Sequence, residues 1–231
     1  MGSSNNAHLF YLPTGLALLI AIALSLYFSN PEEIFVNDES ILIDGIAFPQ
    51  KLKAASFKQD FIGGGTRVKW MVKVYGVGIY SESKFIKSLK NYIGVSGEDL
   101  MKSSDFFNDF AESKPVKSLL LRFHREVGAS DISEALGEAL KPRVGEEISD
   151  TFQKFILDMI AKERLEKGSD IFITCKGEKL WASLDGGKDA ASISIKGLCP
   201  AVFLVYLGDT PVSPQAKEGF ANGFAGLAEK K

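Results

Sequence analysis

The stretch that decides the fold of this chain is Gly63-Gly64-Gly65-Thr66-Arg67-Val68-Lys69-Trp70-Met71-Val72-Lys73-Val74-Tyr75-Gly76-Val77-Gly78-Ile79-Tyr80. Its three glycines indicate a turn, and the residues that follow are rich in valine, isoleucine and tyrosine, which favour β-strands. The stretch also carries a cation, Arg67, and a phenol, Tyr75. A guanidinium is a planar fork of hydrogen-bond donors and a phenol adds one more, so this pair predicts a site for a carboxylate or a phenolate.

The composition predicts one folded domain. The chain has 231 residues, of which 45% are hydrophobic and 17 are phenylalanine, which is enough to bury one core. Its 27 basic and 29 acidic residues are interspersed. Because there is no basic stripe of the kind that binds a phosphate backbone, we expect no nucleic-acid partner.

The two cysteines, Cys175 and Cys199, form no CxxC motif and have no cluster of histidines beside them. Neither a metal site nor a disulfide framework is predicted from this pattern. We interpret both as small core residues, which an oxidising compartment would allow to pair.

The N-terminal part contains an uncharged segment, residues 9–28, of twenty residues. As a helix it would extend about 30 Å, the thickness of the bilayer core, so it predicts a retained, single-pass membrane anchor. A cleaved signal sequence is disfavoured because residues 1–8 carry no Lys or Arg and no small-x-small cleavage site follows. We therefore expect a polar N-terminus (1–8), an apolar anchor helix (9–28), a linker (29–39) and a domain (40–231).

The domain is predicted to have the α+β class. Strand-like runs occupy residues 41–48, 67–80, 116–124, 170–175, 179–184 and 191–195, and the order favours an antiparallel meander. Helical periodicity marks residues 148–160, a shorter segment at 135–140, and a C-terminal segment that begins at Ser213-Pro214 with a cap and a first-turn proline.

Arg67 and Tyr75 are the candidate site residues, and they have the same strand parity. In a straight strand they would be about 26 Å apart, so they meet at one ligand only if the chain turns between them. The opposite parity, which includes Val68, Trp70 and Val72, is interpreted as the core face. The triglycine lacks the pattern of a phosphate loop, and His124 is interpreted as structural.

Three motifs together resemble the chalcone isomerase family over about residues 40–228. They are Gly-Gly-Gly-Thr-Arg at 63–67, Lys-Val-Tyr-Gly-Val-Gly-Ile-Tyr at 73–80, and Gly-Leu-Cys-Pro-Ala-Val-Phe-Leu-Val-Tyr-Leu-Gly-Asp at 197–209, which is followed by Val212-Ser213-Pro214. The resemblance implies an open-faced β-sandwich, in which a large antiparallel sheet is backed by a layer of helices and the ligand lies between them.

The resemblance also bears on catalysis. In the flavonoid enzymes the arginine after the glycines orients a phenolate, and Arg67 matches it. Their other polar residues are replaced here, a threonine by Tyr75, a tyrosine by Ile132, an asparagine by Ala139 and a second threonine by Val205. Fatty-acid-binding relatives instead keep the arginine and the tyrosine of a Lys-Val-Tyr motif to hold a carboxylate, and Arg67 and Tyr75 match both.

The sequence thus predicts a membrane-anchored, non-catalytic domain that binds a fatty acid or a similar apolar carboxylate through Arg67 and Tyr75. No cofactor, metal site or catalytic residue is expected. One alternative is an intramolecular lyase that closes a chalcone-like enone, and another is a fold-only regulatory or haem-linked membrane protein. The family resemblance allows a plastid or a mitochondrion as the organelle.

Overall fold

A seven-stranded antiparallel sheet forms the centre of the computed structural model, which describes residues 39–186 and 190–228. The strands are β1 (Ser40–Ile43), β2 (Ile46–Pro49), β3 (Lys51–Ala54), β4 (Phe57–Lys69), β5 (Val72–Ser81), β6 (Lys117–Phe123), β7 (Val127–Gly128), β8 (Arg164–Leu165), β9 (Asp170–Lys176), β10 (Lys179–Leu184) and β11 (Ala191–Ser194). The large sheet has the order β11-β10-β9-β6-β5-β4-β3, while β1 pairs with β2 and β7 pairs with β8.

Helices cover one face of this sheet. They are α1 (Phe85–Ser88), α2 (Gly97–Met101), α3 (Ser104–Glu112), α4 (Ala129–Val144), α5 (Glu146–Ile160), α6 (Leu198–Leu207) and α7 (Pro214–Ala228). The predicted α+β class with an antiparallel sheet and a helical layer is confirmed. The helices α1 to α3 and α6 have no counterpart in the prediction.

The triglycine lies in the middle of β4, so its prediction as a turn is wrong. The chain turns instead at Trp70 and Met71, the two residues between the paired strand ends Lys69 and Val72. Both turn residues have positive φ angles, 53° and 63°, as a two-residue type I′ hairpin requires. Because the sequence at this turn contains no Gly, Asn or Pro, it predicts a continuous strand through residues 67–80.

The glycines of β4 are needed because helix α7 lies directly on the strand. A Cβ atom added to Gly63 would overlap the carbonyl oxygen of Gly219, and one added to Gly219 would overlap the carbonyl oxygen of Gly64. Gly223 contacts the backbone of Ile62 in the same way. Glycines on both elements therefore allow the helix to approach the strand backbone to backbone.

Hydrogen bonds fix the first turn of α7 to the same strand. The Ser213 hydroxyl donates to the Thr66 carbonyl (2.9 Å), and the Thr66 amide donates to Oε1 of Gln215 (3.2 Å). The hydroxyl of Ser213 also accepts from the amide of Ala216 (3.2 Å), as a helix N-cap does. The predicted cap and the first-turn proline, Pro214, are thereby confirmed.

Each face of the sheet has its own apolar cluster. Tyr75, Val77 and Ile79 of β5 point into the main core under the helices. The other face packs beneath the β1–β2 hairpin, where Phe48 and Tyr80 belong to a smaller cluster. The prediction that the parity of Val68, Trp70 and Val72 forms the core is wrong for these three side chains, which are exposed, but correct for Tyr80, which has the same parity and is buried.

A disulfide joins Cys175 of β9 to Cys199 of α6. The interpretation of both cysteines as unpaired core residues is therefore corrected. Their side chains meet because α6 packs across the sheet, which the spacing of the two residues in the sequence does not indicate. The bond ties the helical layer to the sheet.

The predicted single-pass membrane localisation is also corrected. Within residues 39–186 and 190–228 no helix is long and apolar enough to cross a membrane. The longest of them, α4, has 16 residues and carries charges, and its length of about 24 Å falls short of the bilayer core of about 30 Å. The predicted anchor at residues 9–28 and the polar residues 1–8 lie outside the described residues.

Substituting Gly219→Ala tests the contact between β4 and α7. Alanine in a helix is normally favoured over glycine by up to about 1 kcal/mol. Here we expect a loss of about 2 kcal/mol in the free energy of unfolding, because the methyl group overlaps the strand. Urea unfolding of this variant is compared with that of Gly226→Ala, whose added methyl meets nothing within 4 Å. Equal stability of the two variants would contradict the close contact.

The disulfide is tested by reduction. The bond joins cysteines separated by 24 positions, and closing a loop of that size stabilises a protein by about 3 kcal/mol. We expect the denatured, unreduced chain to show no free thiol, and the urea midpoint to fall on reduction. Two reactive thiols in the unreduced chain would be the opposite result.

Candidate functional site

The β4–β5 hairpin places Arg67 directly opposite Tyr75, its partner in the strand register. Opposed residues in an antiparallel pair have Cβ atoms about 5 Å apart and point to the same face. The separation of about 26 Å that a straight strand would give therefore does not occur. The two predicted site residues are brought together, on the face that the helices cover.

Arg67 reaches across to the loop that connects α6 and α7. Its Nη1 donates to the carbonyl oxygen of Val212 at 3.1 Å, and the side chain is partly buried. In the described part of the chain, no carboxylate forms a salt bridge with this guanidinium. One edge of the fork is thus anchored, and further donors of the same group are available to an anion.

Tyr75 is paired with a second buried phenol. Its hydroxyl lies 2.9 Å from the hydroxyl of Tyr206, on helix α6. Both side chains are fully buried, at 1% exposure each. Burial raises the pKa of Tyr75, and it raises the pKa of Tyr206 well above the usual value, while the nearby charge of Arg67 acts in the opposite direction. Both phenols are therefore protonated at physiological pH.

The three side chains belong to one neighbourhood, since Arg67 is the register partner of Tyr75 and Tyr75 is hydrogen-bonded to Tyr206. In the phenol pair, one hydroxyl donates to the other, and the accepting hydroxyl keeps its own proton available. A carboxylate oxygen at this position would accept from that proton and from the guanidinium, and a bond to a charged group contributes about 1.5–3 kcal/mol. The arrangement is suited to binding an anion at the edge of an apolar core.

Tyr206 was missed as a site residue in the sequence, although it lies in the quoted motif at residues 197–209. A tyrosine in a helix that is otherwise apolar needs a hydrogen-bond partner when it is buried. That requirement is the signal in the sequence that indicates a polar contact at Tyr206. The partner, Tyr75, is 131 positions away, so its identity depends on how α6 packs on β5.

Beyond Tyr206 the site continues into a small apolar void between α4, α5, α6 and β9. Its volume is about 10 Å³. The lining residues are Leu136, Leu140, Phe152, Ile173, Val202, Val205 and Tyr206. Pockets for small ligands measure about 300–1,000 Å³, so the helices over this point are closed onto the sheet.

A larger groove of about 860 Å³ lies elsewhere, along the first half of β4. Gly63, Gly64, Phe85 and Leu227 contribute to its lining, but Arg67, Tyr75 and Tyr206 do not. The groove is also lined by Lys51, which is exposed and lies opposite the acidic Asp60 in the strand register. We assign the candidate site to the buried donors rather than to this groove, because a partly buried cation beside two buried phenols holds an anion better than an exposed lysine beside a carboxylate does.

The other positions that the resemblance singled out carry no polar side chain. Ile132 and Ala139 lie on α4 and pack against the main core, and Val205 is buried on α6 beside Tyr206. None of these three side chains is able to donate a hydrogen bond to a reacting carbonyl. Across the described residues, no group of three or more His, Cys, Asp or Glu is placed to hold a metal ion.

A double-mutant cycle tests the phenol pair. Tyr206→Phe leaves the Tyr75 hydroxyl buried without a partner, which should lower the free energy of unfolding by about 1–3 kcal/mol. Adding Tyr75→Phe removes the unpaired group, so the double variant should be destabilised by less than the sum of the single changes. Additive losses, measured by urea unfolding, would show that the two hydroxyls do not interact.

Comparison with known proteins gives matches over most of the chain. The family model of chalcone-flavanone isomerase matches residues 43–227. Fatty-acid-binding protein 1 of Arabidopsis thaliana is 22% identical over 209 residues, which cover 84% of this chain and 74% of the relative. Chalcone-flavanone isomerase 2-B of Glycine max is 24% identical over 208 residues, which cover 80% of this chain and 90% of the relative.

The solved structures agree with the fold. The crystal structure of an Arabidopsis thaliana fatty-acid binding protein matches with a TM-score of 0.68 and 21% identity, covering 83% of this chain and 100% of that one. The resemblance predicted from the motifs is confirmed by these matches. Since the family model extends over residues 43–227, the chain belongs to the chalcone-flavanone isomerase family.

Proposed function

We propose that residues 40–231 form a non-catalytic domain that binds a fatty acid or a similar apolar carboxylate. The observation that carries this proposal is the group of Arg67, Tyr75 and Tyr206, a cation beside two protonated phenols. It lies where polar donors meet an apolar helical layer. Such a junction fits a molecule with one anionic end and a long apolar remainder.

The relatives support this proposal by what their names record. Two proteins of Arabidopsis thaliana, 22% and 25% identical to this chain, are fatty-acid-binding proteins. The Glycine max relatives are chalcone-flavanone isomerases, so the family includes both activities. The choice between the two therefore depends on the side chains of this chain.

Those side chains favour binding over cyclisation. Stabilising the charge that develops in a ring closure requires donors aimed at the reacting oxygen, and the matching positions are Ile132, Ala139 and Val205. We expect no acceleration of chalcone closure by this domain. For the fold-only regulatory or haem-linked alternatives, residues 39–186 and 190–228 offer no supporting observation.

An acyl chain needs more room than the void of about 10 Å³ beside Tyr206. In this proposal the pair α4–α5, which supplies Leu136, Leu140 and Phe152 to that void, moves away from α6 when ligand binds. Burial of the chain contributes about 0.8 kcal/mol per CH2, or about 10 kcal/mol for a dozen. That gain is large enough to offset the loss of helix contacts.

The test is a calorimetric titration of the compact unit Ile34–Lys231 with lauric acid and with palmitic acid. We expect saturable binding, and a decrease in affinity of about tenfold or more for Arg67→Gln, since the charge-assisted bond is lost. Arg164→Gln serves as the control, because Arg164 is exposed and paired with Glu126 elsewhere. It should bind like the wild type.

A fatty alcohol of the same chain length separates the head group from the tail. It should bind the wild type as weakly as the fatty acid binds Arg67→Gln, and the substitution should not weaken it further. Absence of saturable binding by the wild type, or equal affinities of wild type and Arg67→Gln for the acid, would overturn the proposal.

A further inference from the structure

The tip of the β4–β5 hairpin presents two large apolar side chains to solvent. Trp70 is 87% exposed and Met71 is 97% exposed. The neighbouring Val68 and Val72 are also exposed. Single exposed apolar residues are common, but four within five consecutive positions form a patch that calls for an explanation.

Folding does not explain the choice of residues at this turn. Trp70 and Met71 both have positive φ angles, a conformation that favours Gly, Asn or Asp and costs a bulky residue about 1–2 kcal/mol. The β3–β4 turn uses the same geometry with two small residues, Ala55 and Ser56. The hairpin thus carries a conformational cost and an exposed tryptophan without any packing gain within the described residues.

Basic residues surround the base of the tip. Lys69 is the last residue of β4 and is exposed, and Lys73 lies on β5, where it pairs with Asp44 at 3.0 Å. Lys167 is exposed. The pKa of His124, at the same end of the sheet, is lowered mainly by burial and further by the charges of Lys73 and Lys167, while Asp44 opposes them, so both lysines lie near His124. This end is locally basic although the whole chain has a net charge of -2.

We propose that this hairpin tip docks onto an anionic lipid surface. Trp70 and Met71 enter the boundary between head groups and acyl chains, where tryptophan is favoured, and Lys69 and Lys73 contact lipid phosphates, as basic residues do at anionic surfaces. The contact is peripheral and needs no helix that crosses the bilayer.

A lipid surface fits this patch better than a protein partner does. A stable protein interface buries at least about 1,000 Å² in total, whereas the apolar surface here is limited to a two-residue turn and its flanks. An apolar turn flanked by Lys69 and Lys73 matches a lipid–water interface, where anionic head groups lie next to an apolar interior.

The position of the tip also relates it to the candidate site, and this step rests on the proposed function. Arg67 lies on β4 three residues before the turn residue Trp70, a distance of about 10 Å along an extended chain. Docking by the tip would therefore hold the carboxylate site next to the surface from which an apolar carboxylate is taken.

The experiment uses the full chain with Trp181→Phe, which leaves Trp70 as the only tryptophan. Its emission is recorded with vesicles of phosphatidylcholine, with and without phosphatidylglycerol. We expect a blue shift on anionic vesicles, quenching by lipids brominated on the acyl chains, and affinity at least tenfold weaker on neutral vesicles. Because the signal comes from Trp70, it reports on the tip wherever else the chain contacts lipid.

Matched lysine variants show whether the lysine beside the tip contributes to binding of anionic vesicles. Lys69→Gln should weaken the Trp70 response to anionic vesicles about fivefold, the share of one lysine near such a surface. Lys58→Gln, a change of an exposed lysine at the opposite end of β4, should leave it unchanged. Equal effects of the two substitutions would overturn the role of Lys69 in binding the anionic surface.

A second variant distinguishes a loss of lipid docking from a loss of folding. Trp70→Asn with Met71→Gly gives the turn its preferred residues, so it should fold at least as stably as the wild type. We expect unchanged fatty-acid affinity in solution but transfer from anionic vesicles slowed at least fivefold. Transfer at the wild-type rate would overturn the proposal.

An unshifted Trp70 emission on every vesicle would also overturn lipid docking, and a shift caused by an added protein fraction instead would assign the tip to a protein partner. Emission that shifts on vesicles while the domain binds no fatty acid would support the docking and refute the proposed function. The two failures are therefore distinguishable.

Discussion

Helix α7 rests on the backbone of β4, and the geometry of the candidate site follows from that contact. Gly63 and Gly219 face each other without side chains between them, so the first turn of the helix is held at Thr66 by the side chains of Ser213 and Gln215. The loop before the helix then lies beside the next residue of the strand. This is how the Val212 carbonyl comes within hydrogen-bond distance of Arg67.

The site combines one partly exposed cation with two phenols that burial keeps protonated. Neutral phenols beside a guanidinium donate hydrogen bonds and add no negative charge, so an anionic ligand meets no repulsion from them. Because Tyr206 lies on α6 and Arg67 and Tyr75 lie on the hairpin, the site depends on the packing of helix against sheet. The disulfide between Cys175 and Cys199 fixes the same helix to β9, which is separated from β5 by β6.

The sequence predicted the strand character of β5 and the start of α7 because periodicity and capping are local signals. The turn between β4 and β5 was misplaced because Trp70-Met71 contains no residue typical of turns. The turn between β1 and β2 does carry a hairpin signal in the sequence, Asp44-Gly45, which divides the predicted strand 41–48 into two strands. Tyr206 and the disulfide depend on contacts across the fold, which local patterns do not contain. The chemistry of the quoted stretch and the family motifs both indicate Arg67 and Tyr75, but their proximity depends on the register of the hairpin.

The most direct measurement of the central claim is the titration of a bound carboxyl group. Palmitic acid labelled with carbon-13 at the carboxyl carbon, bound to the unit Ile34–Lys231, reports its ionisation through its NMR chemical shift. If Arg67 and the phenols hold the carboxylate, the pKa of the bound acid lies below that of the free monomer and rises in Arg67→Gln. A bound pKa at or above the free value, unchanged by the substitution, would contradict the account.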